Sequence, residues 1–115
     1  MKFFIASGRT NRKAIKDLDD NLASLNHQAS LFTPQEGTQL KKVFEADLTK
    51  LEEADRVILL LPAGKNSHLA AGIAYGFGKH LTLIGTPENA EANYFIFDDT
   101  YATIEEFIAA LRPQS

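Results

Sequence analysis

The chain has 115 residues, 12 Lys and Arg against 15 Asp and Glu, a formal net charge of -3, and no cysteine or tryptophan. One domain spanning 1–115 fits that length, and a hydrophobic content of 44% supports a packed core rather than disorder. The mildly negative charge argues against non-specific gripping of phosphate backbones, and the lack of cysteine excludes disulfides, thiolate metal sites, iron–sulfur clusters and a cysteine nucleophile.

In chain order, residues 2–7 read as a short buried strand that stops at Gly8. Positive charge follows this apolar stretch, whereas a secretory signal places it first. The longest apolar run, 57–61, is far below the ~20 residues of a membrane span. A soluble cytoplasmic protein is expected. Thr10 or Asn11 suits a helix N-cap, and Ile15, Leu18, Leu22 and Leu25 form one apolar helical face. Residues 29–32 predict a second strand and 33–37 a loop. Leu40, Val43, Phe44, Leu48 and Leu51 mark a second helix ending near Ala54. Residues 56–61 give the strongest strand signal, apolar on both faces as in a central parallel strand. Ser67 suits the cap of a third helix running to about Gly78. Residues 81–84 predict a fourth strand, 87–92 a loop and 94–97 a fifth strand. Ile104, Phe107, Ile108 and Leu111 mark a last helix, stopped by Pro113.

This alternation predicts an α/β protein with a five-stranded parallel sheet and helices on both faces. Such sheets bind ligands outside the carboxyl ends of their strands. Five of the seven glycines fall between Gly64 and Gly85. Gly64 and Lys65 precede a helix start, where free amides suit an anion. Gly72 and Gly76, one turn apart, suggest a close approach, above all to the sheet. Gly78 reads as a C-terminal helix glycine. Neither a Walker A motif nor a dinucleotide fingerprint is present.

The residues Asp47-Leu48, Ala54-Asp55, Leu61-Pro62-x-Gly64 and His68-Leu69-x-Ala71-Gly72-x-Ala74-x-Gly76-x-Gly78-Lys79 resemble the nucleoside 2-deoxyribosyltransferase-like family. Its broader relatives include deoxynucleoside monophosphate N-glycosidases. The resemblance covers the layout of residues 2–85, with its specific residues confined to 47–79. It implies a flavodoxin-like doubly wound sheet, a nucleoside or nucleotide as small-molecule partner, and a homodimer or higher homo-oligomer. It also implies N-glycosidic chemistry, in which a glutamate attacks the anomeric carbon and water or a second base resolves the ester. Counting back from Gly78-Lys79, that glutamate falls on Ala70, and residues 67–79 hold no acid. A methyl group cannot carry a glycosyl ester.

The implied protein binds a nucleoside or nucleotide with weak or absent activity. The alternatives are an active N-glycosidase or transferase using Asp47 or Asp98 as substitute acid, and a non-catalytic regulatory or interaction domain. Candidate substrate-binding residues are Ser7, Gly8, Arg9, Asp47, Gly64, Asn66, Ser67 and His68. Arg9 suits a phosphate through its planar fork, and His68 suits a phosphate, sugar hydroxyl or base. Asp55 reads as a helix-ending acid, and Asp98 and Asp99 as a turn and helix-start charge. His27 and His80 lack metal-ligand spacing, so no metal or cofactor is expected, and neither is a nucleic-acid or membrane partner.

Overall fold

The computed structural model describes residues 1–33, 39–88 and 92–113. The elements run β1 (Lys2–Ser7), α1 (Arg12–Ser24), β2 (Gln28–Ser30), α2 (Leu40–Glu53) and β3 (Arg56–Leu60). They continue with α3 (Lys65–Gly76), β4 (His80–Ile84), a 3-10 helix (Ala92–Ile96), β5 (Asp99–Tyr101) and α4 (Ile104–Leu111). Residues 34–37 and 89–91 of the expected loops lie outside the described residues.

The strands form one parallel sheet in the order β2-β1-β3-β4-β5. This is a flavodoxin-like doubly wound order, and its switch point lies between β1 and β3. Side chains alternate across each strand. Phe4, Ala6, Val57, Leu59 and Leu83 therefore pack with Leu51 of α2 and Ala70 and Ala74 of α3. Phe3, Ile5, Ile58, Leu60 and Ile84 pack with Leu18 and Leu22 of α1 and Phe107 and Ile108 of α4. Each fully buried Leu, Ile or Phe contributes about 1.5–3 kcal/mol of transfer free energy. Two apolar faces thus need two layers of helix, as the central strand pattern requires.

Three local expectations need correction. First, residues 94–97 are not a strand. Tyr94, Ile96 and Phe97 pack on the α2–α3 side of the core from a 3-10 turn. The free edge of β4 pairs instead with 99–101. A short apolar run does not distinguish strand from turn, and here the polar run Asp99–Tyr101 wins the edge because Asp99 meets an internal cation there.

Second, α3 starts two residues before the expected cap, with Gly64 in the N-cap position and Ser67 buried inside the helix. Asn11 is the N-cap of α1, but its side chain makes no cap bond.

Third, Gly72 and Gly76 do not approach the sheet. Both are exposed, and a Cβ built on either meets nothing within 4 Å. Close packing is made by Ser67, Ala70, Ala71 and Ala74, which share one helical stripe and are all buried. Gly78 takes a positive φ of 74°, as expected of a residue ending a helix.

Candidate functional site

The carboxyl ends of β1 and β3 are joined by short polar side chains. Ser7 Oγ donates to Leu60 O at 2.7 Å. Asn11 Nδ2 donates to Ser7 Oγ at 2.9 Å, and Ser67 Oγ donates to Ser7 O at 2.8 Å. Gly8 N donates to Pro62 O at 3.1 Å. One serine thus ties β1 to β3, to the start of α1 and to the first turn of α3. Ser7 and Ser67 are buried, and both spend their hydroxyl protons inside the protein. Both line the cleft while holding its floor together.

That cleft has a volume of about 850 Å³. Gly8, Arg9, Arg12, Gly64, Lys65 and Asn66 form much of its wall. Three cations therefore surround the start of α3, whose first-turn amides have no acceptor within the helix. Arg12 escaped the sequence reading. Its only signal was its place one residue into the helix that follows the switch-point loop.

Asp47 projects from α2 into a second cavity, of about 380 Å³, between α2 and α3. Ala70 lines the same cavity, with Leu48, Leu51 and Ile73. Phe32 and Asn66 border both spaces, so the apolar cavity adjoins the basic cleft. Asp47 Oδ1 accepts from Thr33 N at 2.8 Å and from Thr33 Oγ1 at 2.9 Å. Lys50 Nζ donates to Thr33 Oγ1 at 3.1 Å and to Leu31 O at 2.8 Å. Asp47 and Lys50, nearly one turn apart, thereby pin the chain leaving β2 against α2. Thr33 was missed as a site residue because nothing local marks a threonine that receives a long-range carboxylate.

His68 stands on the other flank of α3. Its Nδ1 lies 2.8 Å from Gly64 O and its Nε2 2.9 Å from Tyr94 OH. A carbonyl only accepts, so Nδ1 carries the proton. In the neutral ring, the Tyr94 hydroxyl then donates to Nε2. This pair borders a third cavity, of about 420 Å³, with Pro62, Gly85 and Pro87. Arg9 and Asp47 consequently line two adjoining spaces, and His68 a third that shares no wall residue with them.

Two acids leave the candidate region altogether. Asp98 Oδ2 accepts from Leu81 N at 2.8 Å, and Asp98 N donates to Leu81 O at 2.9 Å. Asp55 Oδ2 accepts from Lys2 N at 2.8 Å. Leu81 and Lys2 lie at the amino ends of β4 and β1, across the sheet from the cleft. Among the described residues, no group of three or more His, Cys, Asp or Glu is placed to hold a metal ion. None of their helices is long and apolar enough to cross a membrane.

No protein-family model and no curated protein matches the chain. Solved structures do. A 2-deoxyribosyltransferase from Bacillus psychrosaccharolyticus superposes with a TM-score of 0.77 at 17% identity, over 100% of both chains. A CMP N-glycosidase from Clostridium botulinum gives a TM-score of 0.72 at 19% identity, covering 96% of this chain and 98% of that one. A conserved protein from Enterococcus faecalis gives 0.71 at 12% identity, with 95% of each chain covered. The three share with this chain an α/β fold, here built on a five-stranded parallel sheet.

Proposed function

We propose that the chain is a nucleoside 2-deoxyribosyltransferase-like protein that binds a nucleoside or nucleotide without the usual N-glycosidic turnover. One observation carries this reading: Ala70, at the position of the family's glutamate, lines a cavity that shares Phe32 and Asn66 with the basic cleft. The flat ring of a nucleobase fits the largely apolar cavity, and a phosphate fits Arg9, Arg12, Lys65 and the start of α3. Ser7, Gly8, Gly64, Asn66 and Ser67 shape the rim. His68 acts from behind, holding Gly64. The wall offers a methyl group where the glycosyl ester would form, so the ligand leaves unchanged. The protein works in the cytoplasm as a homodimer or larger homo-oligomer.

A thermal-shift panel of nucleosides and their monophosphates tests the reading. Monophosphates should raise the melting temperature more than the parent nucleosides, and Lys65→Ala should shrink that difference. A panel in which no compound stabilises the chain would overturn the proposal. Ala70→Glu should gain release of free base if the rest of the site is intact.

The place of Asp47 favours a second reading. It lines the same cavity as Ala70, and its two Thr33 bonds fall on one oxygen. In this reading its carboxylate attacks the anomeric carbon in place of the glutamate. Release of free base by the unaltered chain, abolished in Asp47→Asn, would establish it. Absence of release across the panel would exclude it.

A further inference from the structure

We infer that the ligand of the basic cleft is a nucleoside carrying two or more phosphates, with its base in the Asp47–Ala70 cavity and its phosphate chain laid along Arg12 and Lys65. The inference rests on the nucleotide reading above and goes beyond it in the length of the phosphate chain. Room is the first argument. The cleft holds about 850 Å³ and the apolar cavity about 380 Å³, so the polar part of the ligand has more than twice the space of the base. The ribose and single phosphate of a monophosphate are only modestly larger than a base, and they leave much of such a cleft to water. Charge is the second argument. Among the described residues, the charged groups of the cleft wall are Arg9, Arg12 and Lys65, on a chain whose net charge is -3. Arg12 and Lys65 are exposed and belong to different elements, α1 and α3. A phosphate monoester carries about −1.5 to −2 charges at neutral pH, and a guanidinium fork takes two oxygens of one such group. A second phosphate adds charge and gives the Lys65 ammonium oxygens of its own.

The separation of charge sets the orientation. Asp47 is the one charged residue among the described lining of the apolar cavity, so a phosphate chain entering there would meet a carboxylate. Phe32 and Asn66 belong to both walls, and the two ends of the ligand join across them. A dinucleotide would need a second apolar space beside the cleft. The cavity next to His68 and Tyr94 shares no wall residue with the cleft, so a free phosphate end fits better than a second nucleoside. The described wall of the cleft also carries no Asp or Glu. Its cations therefore act on the phosphates directly, and binding needs no divalent cation held by the protein.

The test is calorimetric titration of the full chain with the nucleoside, monophosphate and diphosphate of each common base, at low salt and with a chelator present. For the base whose monophosphate binds best, the diphosphate should bind at least about tenfold tighter than the monophosphate. Arg12→Gln and Lys65→Gln should each reduce that ratio by at least about threefold. Both side chains are exposed, so circular dichroism should show a folded chain in each variant. Inorganic pyrophosphate should bind at least about tenfold more weakly than the nucleoside diphosphate, because it leaves the apolar cavity empty. A monophosphate that binds beside a diphosphate that gains less than about tenfold overturns the inference and leaves the nucleotide reading standing. So does a ratio that either substitution leaves intact, or pyrophosphate that matches the nucleoside diphosphate. A chain that binds no nucleotide at all fails at the reading itself, and the inference falls with it.

Discussion

Gly8 sits where β1 turns toward α1, and a Cβ there would lie 2.9 Å from the Pro62 carbonyl oxygen. That atom is backbone, held by the Gly8 N–H itself, so it has little room to yield. Gly8→Ala should therefore cost about 1–3 kcal/mol, read as a lower urea midpoint at unchanged slope. Gly85 meets the same loop from the other side, with a φ of 114° and a Cβ position 2.8 Å from Leu61 Cβ. His27 carries the pH dependence at this scale. Its Nδ1 is buried without a partner among the described residues, and its ring meets Phe3 edge-on at 5.3 Å. Burial first, and then the Met1 ammonium, lower its pKa from the ordinary 6.5. The unfolded chain takes up a proton near that value and the folded chain resists it, so stability is full above about 6.5 and falls as the pH drops below it. Comparing urea unfolding at pH 5.5 and 7.5, the unaltered chain should lose more stability than His27→Gln.

Among the elements, α4 has a fully formed amino-terminal cap. Thr103 Oγ1 accepts from Glu106 N at 3.2 Å, and Glu106 Oε2 accepts from Ala102 N at 3.1 Å. Thr103→Ala should cost about 1 kcal/mol, seen as a lower melting temperature with no change in ligand response, because α4 lies behind the sheet from the Asp47–Ala70 cavity. The amphipathic faces of α1, α2 and α4 were legible in the sequence because apolar residues recur at three and four. The inward face of α3 was not, because small residues line both of its sides: alanines pack on the sheet and glycines face out. Composition alone does not tell these sides apart. The fifth strand failed for a related reason: Tyr94, Phe95 and Ile96 suit a strand better than Asp99, Thr100 and Tyr101 do.

At the scale of the whole molecule, the amino ends of β3, β4 and β5 are tied by one charged network. Arg56 donates to Asp99 Oδ2 at 2.6 Å and to Thr82 Oγ1 at 2.8 Å, and Thr82 donates to Asp99 Oδ1 at 2.6 Å. The Arg56 guanidinium also lies over the Phe107 ring, 5.2 Å from its centre, which brings α4 into the network. The Arg56 side chain is 13% exposed and that of Asp99 29%, so losing one partner strands a charge with little water. Asp99→Asn should cost about 2–3 kcal/mol of unfolding free energy in urea titrations. The network lies at the end of the sheet opposite the cleft. The variant should therefore keep whatever nucleotide affinity the unaltered chain has, measured well below its melting temperature.

The sequence by itself determined the layer architecture, since an apolar run on both faces of 56–61 and alternating helical periods admit little else. It also showed that residues 67–79 hold no acid, because composition at named positions needs no fold. Which candidates meet was decided only by the tertiary structure. Asp47 and Ala70 are far apart in sequence, yet they share a cavity because α2 and α3 pack side by side on one face. His68, two residues from Ala70, faces elsewhere because successive helical residues turn by about 100°. Asp98 lies across the sheet because its loop enters β5 at the amino end. Such pairings depend on which helix flank faces which neighbour and on which end of the sheet a loop emerges, and no local pattern encodes either.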